Sequence, residues 1–409
     1  MKTIGQMVED YAALIVHTGV GLYGGQCLQI KTGAENYWFA QKIAEIAYGC
    51  GALLVDIQID DLKLVRKRID AQNPEQLGAV PDFAKLVDYE MMVKDWAYVR
   101  IDNTEDRQWL QDADAQKLSA YKSAIGRSGA LYRQSRMRNE HPWCVVCAPG
   151  PIWAKSVLGP DATVEEFWHV LAPILRLDTD DPAAAWKQHA GMLLERSLFL
   201  NNLKISTLHF TSTKTDLTIG FTEAHRWMGG GDPLPNGSWF MANIPTEEVF
   251  TTPNRLLVQG HVVTTRPVSV MDSLVEDVEL EFKDGKVVSC KARVGQQIMD
   301  RFLDTDEGAR YLGEVALVGE DSPIARSNRI FHSILFDENA SCHLALGAGY
   351  PSCLANAEQL STDEKLLEAG CNNSLVHTDF MIGSPDMDIT ASTRAGEQVQ
   401  IMKSGKFVI

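Results

Sequence analysis

Up to about residue 200, the apolar positions switch repeatedly between a helical and a strand period. Met7 to Thr18 carries apolar residues at helical spacing, Cys27 to Ile30 reads as a short strand, and Tyr37 to Tyr48 is amphipathic again. Ala52 to Ile57 is a β-branched apolar run, and Trp96 to Ile101 and Trp143 to Ala148 look like two more strands. A polar helical stretch from Thr104 to about Asn139 separates the last two, and helical patterns return in Val164 to Leu175 and Pro182 to Asn202. Parallel strands need helical crossovers, so this alternation predicts an α/β domain with a largely parallel sheet. After Lys204 the texture changes to strand-like runs with turn signals between them: LTIGF, RLLVQGHVVTT, VELEF, VVSCKARV and VQIMKSGKFVI. Lys283-Asp284-Gly285-Lys286 is a hairpin signal, because Asp and Gly tolerate positive φ at its centre. The second half is therefore expected to be mainly antiparallel β, giving an α/β domain over 1–203 and a β-rich domain over 204–409.

Charge and composition narrow the function classes. Lys and Arg total 38 against 54 Asp and Glu, a net charge of −16, so a nucleic acid would have to be held against the protein's own field. No run approaches the ~18 apolar residues of a membrane helix. Glu9 and Asp10 interrupt what would be the apolar core of a signal peptide, which makes a cytoplasmic location the expectation. The eight cysteines are sparse and irregularly spaced, as reduced thiols are. Cys144 and Cys147 form one C-x-x-C, but Val145, Val146 and Ala148 around them spell a buried strand, so two small core residues are expected rather than a redox motif. Gly21, Gly24 and Gly25 precede the first strand, where they match neither the dinucleotide nor the P-loop arrangement and read as turn glycines.

Candidate metal ligands crowd the last third of the chain, in four segments. His377 and Asp379 are two apart in a strand-like run, so both side chains leave on one face and could grip one ion. Glu314 is a single acid inside an otherwise core-like run, LGEVALVG; a buried carboxylate of this kind needs a cation, a metal or a donor network. Asp337, Glu338, His343 and Tyr350 lie in a Gly- and Ala-rich stretch; taken alone, His343 reads as a core histidine and Asp337 as a turn residue. Glu247 and Glu248 follow Asn-Ile-Pro-Thr, where Thr246 could cap a helix, or where a glutamate could be presented from a short loop because Val-Phe-Thr-Thr-Pro soon ends any helix. Nearby, Trp227, Met228, Trp239 and Phe240 could line an apolar pocket or anchor a core.

Together NIPTEEVFTTPN, LGEVALV, FDENASCHLALG with its following Tyr, and NSLVHTDFMIGS resemble the signature segments of the metallo-aminopeptidases of the aminopeptidase T and aminopeptidase S type. The likeness is close over much of 243–389; upstream it extends to the α/β pattern and the length. It implies a cocatalytic site for two divalent ions, zinc, cobalt or manganese, with Glu248, Glu314, His343, Tyr350, His377 and Asp379 as ligands. Glu248 is preferred to its neighbour Glu247, and either Glu248 or Glu314 could take the proton of a metal-activated water. The stretch Leu354 to Cys371 is slightly longer than the family's. The resemblance further implies a homodimer that hydrolyses the N-terminal residue from short peptides with a free N-terminus. The residue types agree with it, since three carboxylates, two imidazoles and a phenol without sulfur suit catalytic rather than closed structural metal sites.

Two rival readings remain at this point. Some ring-cleaving non-haem iron dioxygenases look similar in the C-terminal domain, and His343, His377 and Asp379 could form a two-histidine, one-carboxylate iron triad. A non-catalytic peptide-binding or scaffold protein is the other, though it gives no reason to retain so many buried polar groups. Two divalent ions, one iron or none would distinguish the three.

Overall fold

The computed structural model describes residues 2–102, 104–110, 112–271, 273–360 and 362–409. Internal contacts divide it into two compact units, one running to Lys187 and taking in Gly231–Pro245, the other comprising Gln188–Gly230 and Thr246–Ile409.

The first unit is the α/β layer that the alternation predicts. Its sheet orders the strands Leu54–Asp60, Cys27–Gly33, Ala97–Asp102, Trp143–Cys147 and Asn243–Ile244, every pairing parallel. Leu28, Ile30, Val99 and Val146 are fully buried, as expected for a sheet with helices against it. The helix Ile4–Leu14 starts at a reciprocal capping box between Thr3 and Gln6 and buries Met7, Tyr11, Ala12 and Leu14. The polar stretch after Thr104 is not one helix: a 3-10 turn, Arg107–Leu110, precedes helices Ala115–Ser128 and Ala130–Met137, broken at Gly129. Two further helices, Leu62–Ala71 and Asp82–Val93, lie in the crossover before the third strand. The sequence reading predicts neither of them; in the second, Phe83, Leu86 and Tyr89 face solvent and blur the helical period. All eight cysteines are free thiols, and Cys144 and Cys147 are buried in their strand as core residues.

A single boundary near residue 203 is the expectation from sequence texture. By contacts, the chain first changes unit between Lys187 and Gln188, within the helix Pro182–Asn202. Gly231–Pro245 returns to the first unit, where Asn243 and Ile244 pair with Val145 and Val146 at the edge of the parallel sheet. Such a two-residue strand carries no periodicity to betray it.

The second unit is mainly antiparallel β. A nine-stranded sheet among the described residues includes Ile205–Thr211, Asp216–Gly220, Val258–Val263, Ser273–Lys283 and Lys286–Val294. The last two form the expected hairpin, with Asp284 at φ 50° and Gly285 at φ 82°. A second sheet of four strands, Val249–Thr251, Leu312–Leu317, His343–Gly347 and His377–Met381, carries the candidate ligands. No described helix is long and apolar enough to cross a membrane.

Candidate metal centre

Register in the four-stranded sheet decides which side chains meet. Ala345 pairs with Glu314 on one side and Asp379 on the other, His343 pairs with Ala316, and Gly347 pairs with His377. Paired residues and alternate residues share a face. Glu314, His343, His377 and Asp379 therefore all project from the same side, separated by the small residues Ala316, Ala345 and Gly347. Phe250 pairs with Ala316 and joins that face, and Glu248, two residues earlier, continues it. A register shift between Leu312 and Glu314 sets the phase of the first strand.

Gly347 is required where it stands. Its φ is +111°, and a Cβ there would run into the Val376 carbonyl just before His377. Gly347→Ala is expected to destabilise the unit by about 3 kcal/mol through this clash, read as a lower denaturation midpoint.

The donors gather in two overlapping groups. Ligand atoms of Glu248, Glu314 and His343 lie within 4.8 Å of one another, and so do those of Glu314, His377 and Asp379. Glu314 is common to both. His343 Nε2 stands 3.0 Å from Glu248 Oε2, and His377 Nε2 stands 3.3 Å from Glu314 Oε2 and 3.6 Å from Asp379 Oδ1. Glu248 Oε2 and Asp379 Oδ1 are nevertheless buried without a well-formed hydrogen bond. Two ligands of one ion at about 2.0–2.2 Å in a tetrahedral arrangement stand roughly 3.3–3.6 Å apart, which is the spacing His377 keeps to both carboxylates.

Both imidazoles are aimed by backbone. His343 Nδ1 lies 3.2 Å from the Ser341 carbonyl and His377 Nδ1 2.7 Å from the Ala348 carbonyl. A carbonyl can only accept, so Nδ1 carries the proton and Nε2 faces the carboxylates, the tautomer a metal ligand needs. The Tyr350 ring packs edge-on to His377 at 5.2 Å and to Phe250 at 5.6 Å. Its N–H donates to Thr252 Oγ1, and that hydroxyl donates to the Gly313 carbonyl.

The electrostatics are those of a pocket short of positive charge. Burial pushes the Glu314 carboxyl up to about 7 against the pull of His377. Burial acts to lower His343, yet the adjoining Glu248 carboxylate carries the imidazole up to about 10. His377 is likewise raised despite burial, by Asp379 and Glu314. Asp379 is held low, the His377 charge outweighing burial. Burial, followed by Glu314 and Asp379, raises the Tyr350 phenol. Four buried carboxylates, counting Glu338, face two imidazoles, and the donor set is oxygen and nitrogen throughout; these residues fit divalent cations.

Glu247 and Glu248 part company. They sit in a loop rather than a helix; Glu248 meets His343, while Glu247 Oε2 lies 3.4 Å from His189 Nε2. Asp337 is expected as a turn residue but ends the short helix Ile334–Asp337, where its carboxylate accepts from the Phe331 and Ser333 amides and burial pushes its carboxyl up to about 6. Trp227 is core, packed near Phe221 in the second unit, whereas Trp239 and Phe240 belong to the first unit, Trp239 largely exposed. Glu338 lies in one of the candidate segments but outside the ligand set the resemblance implies. It is buried, its carboxyl raised by burial and by the neighbouring Asp379 and Glu248 carboxylates. The argument that flags Glu314, an acid among buried neighbours, applies equally to Glu338 in FDENASCH.

The chain matches the family described as thermophilic metalloprotease (M29) over residues 5–407. It is 36% identical to Aminopeptidase 2 of Geobacillus stearothermophilus, covering 98% of this chain and 97% of that one. Identity to Aminopeptidase AmpS of Bacillus subtilis is 34%, over the whole of both chains. Wild-type AmpT from Thermus thermophilus has a similar solved structure, with a TM-score of 0.90 at 32% identity, covering 100% of each chain. The likeness thus extends through the N-terminal half. These matches lend no support to the ring-cleaving dioxygenase alternative.

Proposed function

The chain belongs to the thermophilic metalloprotease family M29, and on that premise we propose that it is a metal-dependent aminopeptidase that removes the N-terminal residue of short peptides at a two-metal site. The observation that carries the proposal is the pair of overlapping donor groups sharing Glu314. In this reading Glu248, Glu314 and His343 hold one divalent ion, and Glu314, His377 and Asp379 hold the other, with the Tyr350 phenol completing the set. When bound, two such ions polarise the scissile carbonyl, acidify the attacking water and anchor a free amine. Zinc, cobalt and manganese all suit the donors.

The protein's own residues do the rest. The Ser341 and Ala348 carbonyls fix the imidazoles, holding Nε2 toward the carboxylates. Phe250, on the same sheet face beside Tyr350, offers an apolar wall to the first side chain. Glu248 and Glu314 are the candidates to take the proton released in the attack. A homodimer in the cytoplasm belongs to the same proposal.

The test is amino-acid release from a panel of short peptides, free and N-acetylated, with metal-stripped protein before and after zinc, cobalt or manganese is added. Cleavage of the free peptides alone, restored by metal, is expected. Equal cleavage of the acetylated peptides would overturn the exopeptidase reading.

A further inference from the structure

We propose that Asn339 is a positioning residue of the metal centre, one amide that ties the loop bearing Glu248 to the side bearing Asp379. The proposal rests on the two-metal reading above.

Asn339 is fully buried and lies next to Glu338, whose buried carboxyl feels the Asp379 and Glu248 charges. Its Oδ1 accepts the Glu247 N–H at 2.7 Å, immediately before Glu248. Its Nδ2 donates to the Leu335 carbonyl at 2.9 Å and, more weakly, to Glu338 Oε1 at 3.4 Å. The Asn339 carbonyl accepts from the Ser322 hydroxyl at 3.1 Å, which anchors the residue itself.

These bonds form a path from one donor group to the other. It runs from the Glu248 loop through the Asn339 amide to Glu338, whose carboxyl in turn feels the Asp379 charge. Only a side chain with a donor and an acceptor on adjacent atoms can serve both ends. Aspartate keeps the acceptor for Glu247 but loses the donor and turns a charge toward Glu338. Leucine, of nearly the same size, keeps neither. The other side of the Glu248 loop is held independently, His189 Nε2 lying 2.8 Å from the Thr246 carbonyl, so the turn does not depend on Asn339 alone to form. Hydrogen bonds to ligand-bearing residues set ligand orientation, and their loss typically costs about 10–100-fold in metal affinity.

The experiment measures binding of Co2+ to metal-stripped wild type, Asn339→Asp and Asn339→Leu by chelator competition. The visible absorption of the cobalt-loaded proteins and the melting of the metal-free proteins are recorded alongside. The expected result is a roughly 10–100-fold weaker affinity in the Leu variant, a smaller loss in the Asp variant, and a shifted cobalt spectrum in both. The spectrum reports ligand geometry, which general destabilisation would leave unmoved in the folded fraction; should the Leu variant not fold, the Asp variant carries the same comparison. Variants that bind as tightly as wild type with an unchanged spectrum would overturn this proposal alone. Wild type that takes up no ion would overturn the metal reading and this proposal with it.

Discussion

Replacing Glu314 with alanine is expected to abolish peptide hydrolysis, by about 1,000-fold or more, and to lower metal content toward zero. Among the described residues no other belongs to both donor groups, so in the proposed two-metal reading no other single substitution would strike both ions. The side chain is buried in a strand whose every residue is buried, and removing it relieves desolvation rather than opening a hole in an apolar core. The fold should therefore survive, and the metal-free variant should melt no lower than metal-free wild type. His343→Ala, which strikes the first group only, should lose activity with a smaller loss of metal. Full activity in the Glu314 variant would remove the basis for the assignment.

Metal binding is expected to release protons and to strengthen steeply with pH. In the metal-free protein His343 is raised to about 10, so at neutral pH it holds a proton that a metal must displace; His377 is raised as well, by Asp379 and Glu314. One proton released gives up to about tenfold in affinity per pH unit until His343 has titrated. Stability of the metal-free protein should run the other way. A folded-state pKa above the unfolded one contributes stability that is fully present below the unfolded value and lost as pH rises through the folded value. For Glu314 that window lies between about 4.5 and about 7, and for His343 between about 6.5 and about 10. Metal-free protein should lose stability on the alkaline side, and metal-loaded protein should recover it. Melting both forms from pH 5 to 10 checks this; parallel curves would contradict it.

Much of the architecture was legible because it rests on periods. The parallel sheet showed in the alternation of strand and helix patterns up to residue 202, and the KDGK hairpin in its turn chemistry. His377 and Asp379 shared a face by spacing alone, and Glu314 stood out as an acid in an apolar run. What could not be read was register. That Ala345 lies between Glu314 and Asp379 depends on strand pairing across a register shift, which no local pattern records. Asn243–Ile244 joined the first sheet with too few residues to show a period. Glu247 and Glu248 differ only in which way a loop turns, and that is fixed from a distance by Asn339 and His189. Glu338 stands in a segment the sequence already singles out, but only the fold shows that its short helical turn brings it beside the Asp379 charge.

The central claim, two ions acting together at the shared Glu314, is tested most directly by titrating metal-stripped protein with zinc, cobalt or manganese while following amino-acid release from a free short peptide. The account predicts that activity rises with added metal and saturates at two equivalents per chain, with bound metal reaching the same figure. Saturation at one equivalent, or hydrolysis undiminished in the stripped protein, would contradict it.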